Sequence, residues 1–158
     1  MANEKQGDQL QIGEVAERTG VTQRTLRFYE EKGLLRPPER MEGGFRLYSE
    51  EDVKRVKHIR RLQDLLGVSL AGIKEMVDAD EVLRELRAQF DPAAAIADKR
   101  RQLNRATEVT EAQYTIVKQK IEQMRQMEVQ LDERLKLFQR WKKELDEMER
   151  DAAPTRSQ

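Results

Sequence analysis

Arg24 and Arg27 stand three residues apart, next to Gln23 and Phe28, in the run TQRTLRFYEEKGLL of residues 22–35. Guanidinium groups at that spacing share one face of a helix, and each can fork onto guanine O6 and N7 or onto a phosphate. Gln23 and Arg24 are the candidates for base edges and Arg27 for phosphate. Thr22, at the helix start, can offer its backbone amide to an anion. What catalysis requires is missing: no nucleophile, base and orienting group fall together, and no glycine-rich phosphate loop exists. The single histidine, His58, sits in a charged helical stretch and is read as a surface residue without chemistry. The chain is therefore not expected to be an enzyme, and no cofactor is implied.

The charge distribution agrees. Over the whole chain 30 basic and 30 acidic residues cancel, but residues 18–61 hold 12 Lys and Arg against 7 Asp and Glu, a local excess of five. A field of that sign attracts a polyanion. With 37% apolar and 5% aromatic residues in 158, the composition suits one compact domain followed by something extended. The absence of cysteine closes disulfide, thiolate-metal and iron–sulfur chemistry. No apolar run approaches the ~18 residues of a membrane span, and MANEKQGDQLQ is too polar for a signal peptide, which places the chain in the cytoplasm.

The elements that must hold the arginines can be read from apolar spacing. Residues 1–11 are polar and read as frayed. Ile12, Val15 and Ala16 give a short helix ended at Thr19-Gly20, and Val21 then packs. Thr22 is an N-cap for a second helix whose Leu26 and Tyr29 turn inward. Two short helices around such a turn form a helix-turn-helix. Gly33 and Pro37-Pro38 stop the second helix, and residues 35–48 read as a β-hairpin, a wing with its loop around 40–44. Ser49 and Asp52 open a third helix carried by Val53, Val56, Ile59 or Arg60, Leu62, Leu65 and Leu66. Ser69 caps a fourth, carried by Leu70, Ile73, Met76 and Val77.

These runs, IGEVAERTGV, TLRFYEEKGLLRP, GGFRLYSEEDV and IRRLQDLLGVSLAGIKEMV, resemble in order and spacing the DNA-binding domain of MerR-family transcription regulators. Phe28 and Phe45 stand where many members carry tyrosine, keeping the ring and dropping a hydroxyl. The resemblance implies that Arg46 grips the DNA backbone from the wing with Tyr48 beside it, and that Lys57, Arg60 and Arg61 add phosphate contacts. For the last three a merely solvated face remains an equal reading. The DNA-contact set is thus Thr22, Gln23, Arg24, Arg27, Phe28, Tyr29, Arg46, Tyr48, Lys57, Arg60 and Arg61.

Beyond residue 78 the pattern changes. Residues 79–91 hold a short connecting helix with Val82, Leu83, Leu86 and Phe90. Asp91-Pro92 then reads as an N-cap followed by proline at the first helical position. No glycine or proline follows until Pro154. A stripe at every seventh residue from Ile96 is apolar at seven of eight positions, the exception being Thr110. Ile96, Leu103, Val117, Ile121, Met124 and Leu131 form the expected dimerisation set, in line with the antiparallel coiled coil that the resemblance implies. Beyond Met124 the apolar surface broadens. Residues 92–150 are either one long helix or a hairpin reversing near 107–113, and residues 151–158 are a tail. Tyr114, Phe138, Trp141 and the methionines read as core in preference to a ligand pocket, and any small-molecule or protein effector stays unidentified.

The expected protein is mainly α, a winged helix-turn-helix domain at 12–78 followed by a long helical coiled-coil arm. Its expected function is that of a homodimeric, sequence-specific DNA-binding transcription regulator on a pseudo-palindromic promoter operator. Action by distorting promoter DNA, with RNA polymerase as a partner, is implied by the resemblance alone. Two other readings stand beside it: an architectural DNA-binding protein without a specific operator, and a coiled-coil protein-interaction adaptor.

Overall fold

The computed structural model describes residues 9–40 and 46–152. Its elements in order are β1 (Leu10–Gln11), α1 (Ile12–Thr19), α2 (Gln23–Glu31), β2 (Glu39–Arg40), β3 (Arg46–Tyr48), α3 (Glu50–Leu66), α4 (Leu70–Ala88) and α5 (Ile96–Ala152). Two compact units are present, Met1–Ile116 and Val117–Gln158.

The first unit holds the core. Val15 of α1, Leu26 of α2, Val56 and Ile59 of α3 and Ile73 of α4 are all fully buried, with Leu34 from the α2–β2 connection among them. Apolar residues at helical spacing thus converge from four helices, the condition for a stable small core. Leu34 reaches it because Gly33 adopts φ +71°, which folds the chain back so that both Leu34 N–H and Leu35 N–H donate to the Tyr29 carbonyl at 2.8 and 3.2 Å. α1 ends at Gly20, also left-handed at φ +67°.

A three-stranded antiparallel sheet in the order β1-β3-β2 lies beside these helices, pairing Leu10 with Tyr48, Gln11 with Leu47, and Arg40 with Arg46. The wing expected over 35–48 is therefore present as short strands, while Phe45 and the rest of 41–45 lie outside the described residues. The expectation of fraying through Gln11 is corrected: Leu10 is buried, and it starts the sheet because β3 would otherwise leave an edge of unpaired backbone groups.

The Ser49 capping box forms as expected, with Ser49 N–H donating to Asp52 Oδ2 at 2.8 Å and Asp52 N–H to Ser49 Oγ at 3.2 Å. Leu65, placed on the apolar stripe of α3, is instead 71% exposed, since Leu62 and Leu66 already fill that turn of the inner face. The separate helix expected at 79–91 is the continuation of α4, which runs without a break through Asp78 and Asp80. Residues 92–95 form a turn in which Asp91 Oδ1 accepts Ala93 N–H at 2.8 Å, so α5 begins at Ile96 and not at Pro92. No reversal occurs at 107–113, which are helical throughout.

In the second unit α5 is the only element among the described residues. Its large apolar side chains from Ile121 to Met148 are exposed, except Leu137, which is half-buried.

Candidate nucleic-acid interface

Thr22 caps α2, its hydroxyl accepting Thr25 N–H at 3.1 Å. From that fixed start the helix divides into two faces. Leu26 and Tyr29 are buried, while Gln23, Arg24, Arg27 and Phe28 project to solvent. The Lys32 ammonium lies 5.6 Å from the centre of the Phe28 ring, within cation–π range. Four adjacent exposed side chains, two of them guanidinium groups, thus stand on a helix that is held from behind.

What holds it is a set of polar contacts that sequence patterning did not reveal. Glu30, with a side chain only 10% exposed, receives Arg46 Nε at 3.1 Å on Oε2 and the Tyr48 hydroxyl on Oε1. α2 and the wing strand are therefore joined through one carboxylate. Glu30 lies four residues after Leu26, on the inner stripe of α2, and an acid at such a position requires a partner. That spacing was the available signal. The Tyr29 hydroxyl donates to Gln63 Oε1 of α3 at 2.9 Å.

Tyr29 and Tyr48, grouped with the DNA-contact residues on sequence, are correspondingly corrected. They are 3% and 2% exposed, and their hydroxyls are engaged inside the domain. Burial raises both phenols above their ordinary range, and for Tyr48 the hydrogen bond to the Glu30 carboxylate and its charge add to the effect. They tie α2 to α3 and to the wing from inside and do not reach the exposed face of α2.

On α3, Lys57 and Arg61 are exposed and Arg60 is half-buried. Arg60 Nη1 donates to the carbonyls of Thr19 and Gly20 at 2.9 and 3.1 Å, closing the C-terminus of α1 where carbonyls lack helical partners. A Cβ on Gly20 would come within 2.8 Å of that same Nη1. Arg60 is thus a strut first, whereas Lys57 and Arg61 present their charge outward beside Leu65 on a shallow shelf.

Two further ties fix the domain. Arg55 donates to the Leu34 carbonyl at 2.5 Å, to Glu81 at 2.7 Å and to Asp78 at 2.9 Å, linking α3, the α2–β2 connection and α4. His58 Nε2 lies 2.7 Å from Asp80 Oδ2, and Gln113 of α5 donates to Asp80 Oδ1 at 2.7 Å and to the Met76 carbonyl at 2.9 Å. His58, read on sequence as a surface residue, belongs to a chain of contacts from α3 through α4 to Gln113 of α5. Among the described residues no cluster of three metal-ligating side chains occurs, and no helix is long and apolar enough to cross a membrane.

Residues 10–80 match the family described as MerR HTH family regulatory protein. Over 112 residues the chain is 31% identical to the HTH-type transcriptional regulator YfmP of Bacillus subtilis (strain 168), an alignment covering 71% of this chain and 80% of that protein. It is 40% identical over 106 residues to the nodulation protein NolA of Bradyrhizobium elkanii, across 62% of this chain but only 48% of NolA. The fold is shared with the crystal structure of HiNmlR, a MerR family regulator lacking the sensor domain, bound to promoter DNA, at a TM-score of 0.50 and 24% identity, covering 85% of this chain and 93% of that one.

Proposed function

This chain belongs to the MerR HTH family of regulatory proteins, transcriptional regulators and not enzymes, and from that premise we propose that it reads a two-fold-related promoter operator as a homodimer. The observation that carries the reading is the outer face of α2. Gln23, Arg24, Arg27 and Phe28 are exposed together on a helix whose inner polar groups, Tyr29 and Glu30, are satisfied by Gln63 and by Arg46 and Tyr48 of the wing. A preorganised row of donors of this kind loses little freedom on docking into a major groove.

Within that reading Gln23 and Arg24 address base edges. Arg27, Arg46, Lys57, Arg61 and the amide end of α2 at Thr22 address phosphates. Phe28 offers its ring to sugar or base methyl groups. Arg46 already serves Glu30 through Nε, which leaves its two terminal nitrogens for the backbone. The apolar stripe of α5 supplies the second copy, with Ile96, Leu103, Val117, Ile121, Met124 and Leu131 as its candidates. Two heads so linked distort the promoter between half-sites, the deformation being offset by phosphate contacts, and present it to RNA polymerase. In this reading the protein acts in the cytoplasm.

The test is a titration of operator duplex with the full chain and with Arg24→Ala. Loss of discrimination between operator and unrelated duplex supports the reading. A footprint at no preferred sequence favours an architectural protein, and unchanged affinity in Arg24→Ala favours a protein-docking adaptor.

A further inference from the structure

Lys32 lies outside the expected DNA-contact set, yet it ends the same outer face of α2. It caps the C-terminus of that helix, its N–H donating to the Phe28 carbonyl at 3.0 Å, and Gly33 at φ +71° turns the chain away immediately after it. Its ammonium rests 5.6 Å from the centre of the Phe28 ring, and among the described residues no carboxylate pairs with it. The neighbouring cation shows the contrast. Lys74 Cε would lie 3.2 Å from a Cβ on Gly33, but the Lys74 ammonium is paired with Asp78.

Arg24, Phe28 and Lys32 follow one another at steps of four residues, a single row along α2, whereas Glu31 belongs to the row of Arg27. From Arg24 to Lys32 the row runs about 12 Å at ~1.5 Å per residue, close to the ~12 Å width of the major groove. With Arg24 at base edges on the groove floor, Lys32 comes level with the groove wall, where the acceptors on offer are phosphate oxygens. Phe28 has no donor of its own, so its ring contributes by holding the ammonium. Ordering a flexible lysine stem on docking costs entropy, and a ring that already carries the cation lowers that cost. With the lysine in place the ring is still 42% exposed, which leaves room for the sugar or methyl contact assigned to it above.

We propose that Lys32 is a phosphate contact in each half-site and that Phe28 is its positioning residue. The proposal rests on the DNA-reading function above and adds to it the cation that closes the far end of α2.

The test is duplex binding by the full chain as a function of salt, on an operator recovered by selection from a random pool and on an unrelated duplex. Lys32→Gln is expected to flatten the slope of log K against log salt by about one unit per protomer, so that from about 50 to 200 mM salt the native protein loses about tenfold more affinity than the variant. The weakening should be similar on the two duplexes, unlike that of Arg24→Ala. Lys32→Arg should keep the native slope, since a guanidinium also carries its charge over a ring. Phe28→Leu tests the positioning: in that background Lys32→Gln is expected to cost less affinity than it does beside the ring. Both side chains are exposed, so each variant should melt near the native Tm by circular dichroism. A native salt slope in Lys32→Gln overturns the contact, and an equal cost of Lys32→Gln with and without the ring overturns the role of Phe28. In either case a loss of discrimination in Arg24→Ala leaves the DNA-reading function standing. A native protein that binds neither duplex overturns both.

Discussion

The phenolic hydroxyl of Tyr48 donates to the carboxylate of Glu30, so that strand β3 and the recognition helix share one nearly buried acid. The orientation of α2 and the position of the wing are therefore set together. Replacing Tyr48 by phenylalanine keeps the packing and leaves one Glu30 oxygen without its donor, at a cost of about 1–2 kcal/mol. The expected outcome is a fall in Tm of several degrees by calorimetry, with DNA affinity weakened similarly for all sequences. An unchanged Tm would show that the contact contributes nothing.

Alkaline pH attacks the same contact. Tyr48 and Tyr29 have phenols raised in the folded state, chiefly by burial, whereas in the unfolded chain tyrosine ionises near pH 10. Stability from the neutral phenols is fully present below about pH 10 and is lost progressively as pH rises from there toward the raised folded values, because the unfolded chain releases those protons first. Thermal melts between about pH 8 and pH 11 should show this decline, with a shallower slope in Tyr48→Phe. Equal slopes in the two proteins would contradict the assignment.

Arg60 and its neighbours separate structure from phosphate binding. Arg60→Ala removes two hydrogen bonds to the end of α1 and is expected to cost about 1 kcal/mol of stability. It should leave the salt dependence of DNA binding nearly unchanged. Lys57→Ala and Arg61→Ala should do the reverse, flattening the slope of log K against log salt by about one unit per protomer at unchanged Tm. The opposite pattern would exchange their roles.

Gln113 ties α5 to α4 through the Met76 carbonyl and Asp80. Gln113→Ala is expected to lower stability by about 1 kcal/mol and to speed hydrogen exchange in α5 around Gln113, while α2 and the wing keep their protection. Unaltered exchange throughout α5 would mean that Val109 alone seats the helix.

Much of this was legible in the sequence because the signals are local. Thr22, Ser49 and Ser69 precede helices by the chemistry of capping, Gly20 ends α1, and Leu26, Val56, Ile59 and Ile73 repeat at helical spacing. The missed features depend on distant partners. Leu10 joins the sheet only because Tyr48 lies opposite it, and Glu30 becomes the hub of the interface only when β3 folds against α2. Arg60 resembled a phosphate ligand because its charge was visible and the α1 carbonyls it serves, 40 residues away, were not. Leu65 fits the α3 stripe by period, yet neighbouring leucines had taken the space.

The central claim, that the exposed face of α2 reads DNA sequence as one half of a two-fold pair, is tested most directly by selecting bound duplexes from a random pool with the full chain and with Arg24→Ala. The expected result is enrichment of two inverted half-sites by the native protein. Arg24→Ala should lose preference at one base pair in each half-site, a discrimination of about 1–3 kcal/mol per site. Recovery of no common sequence, or of the same half-sites at the same strength by Arg24→Ala, would contradict it.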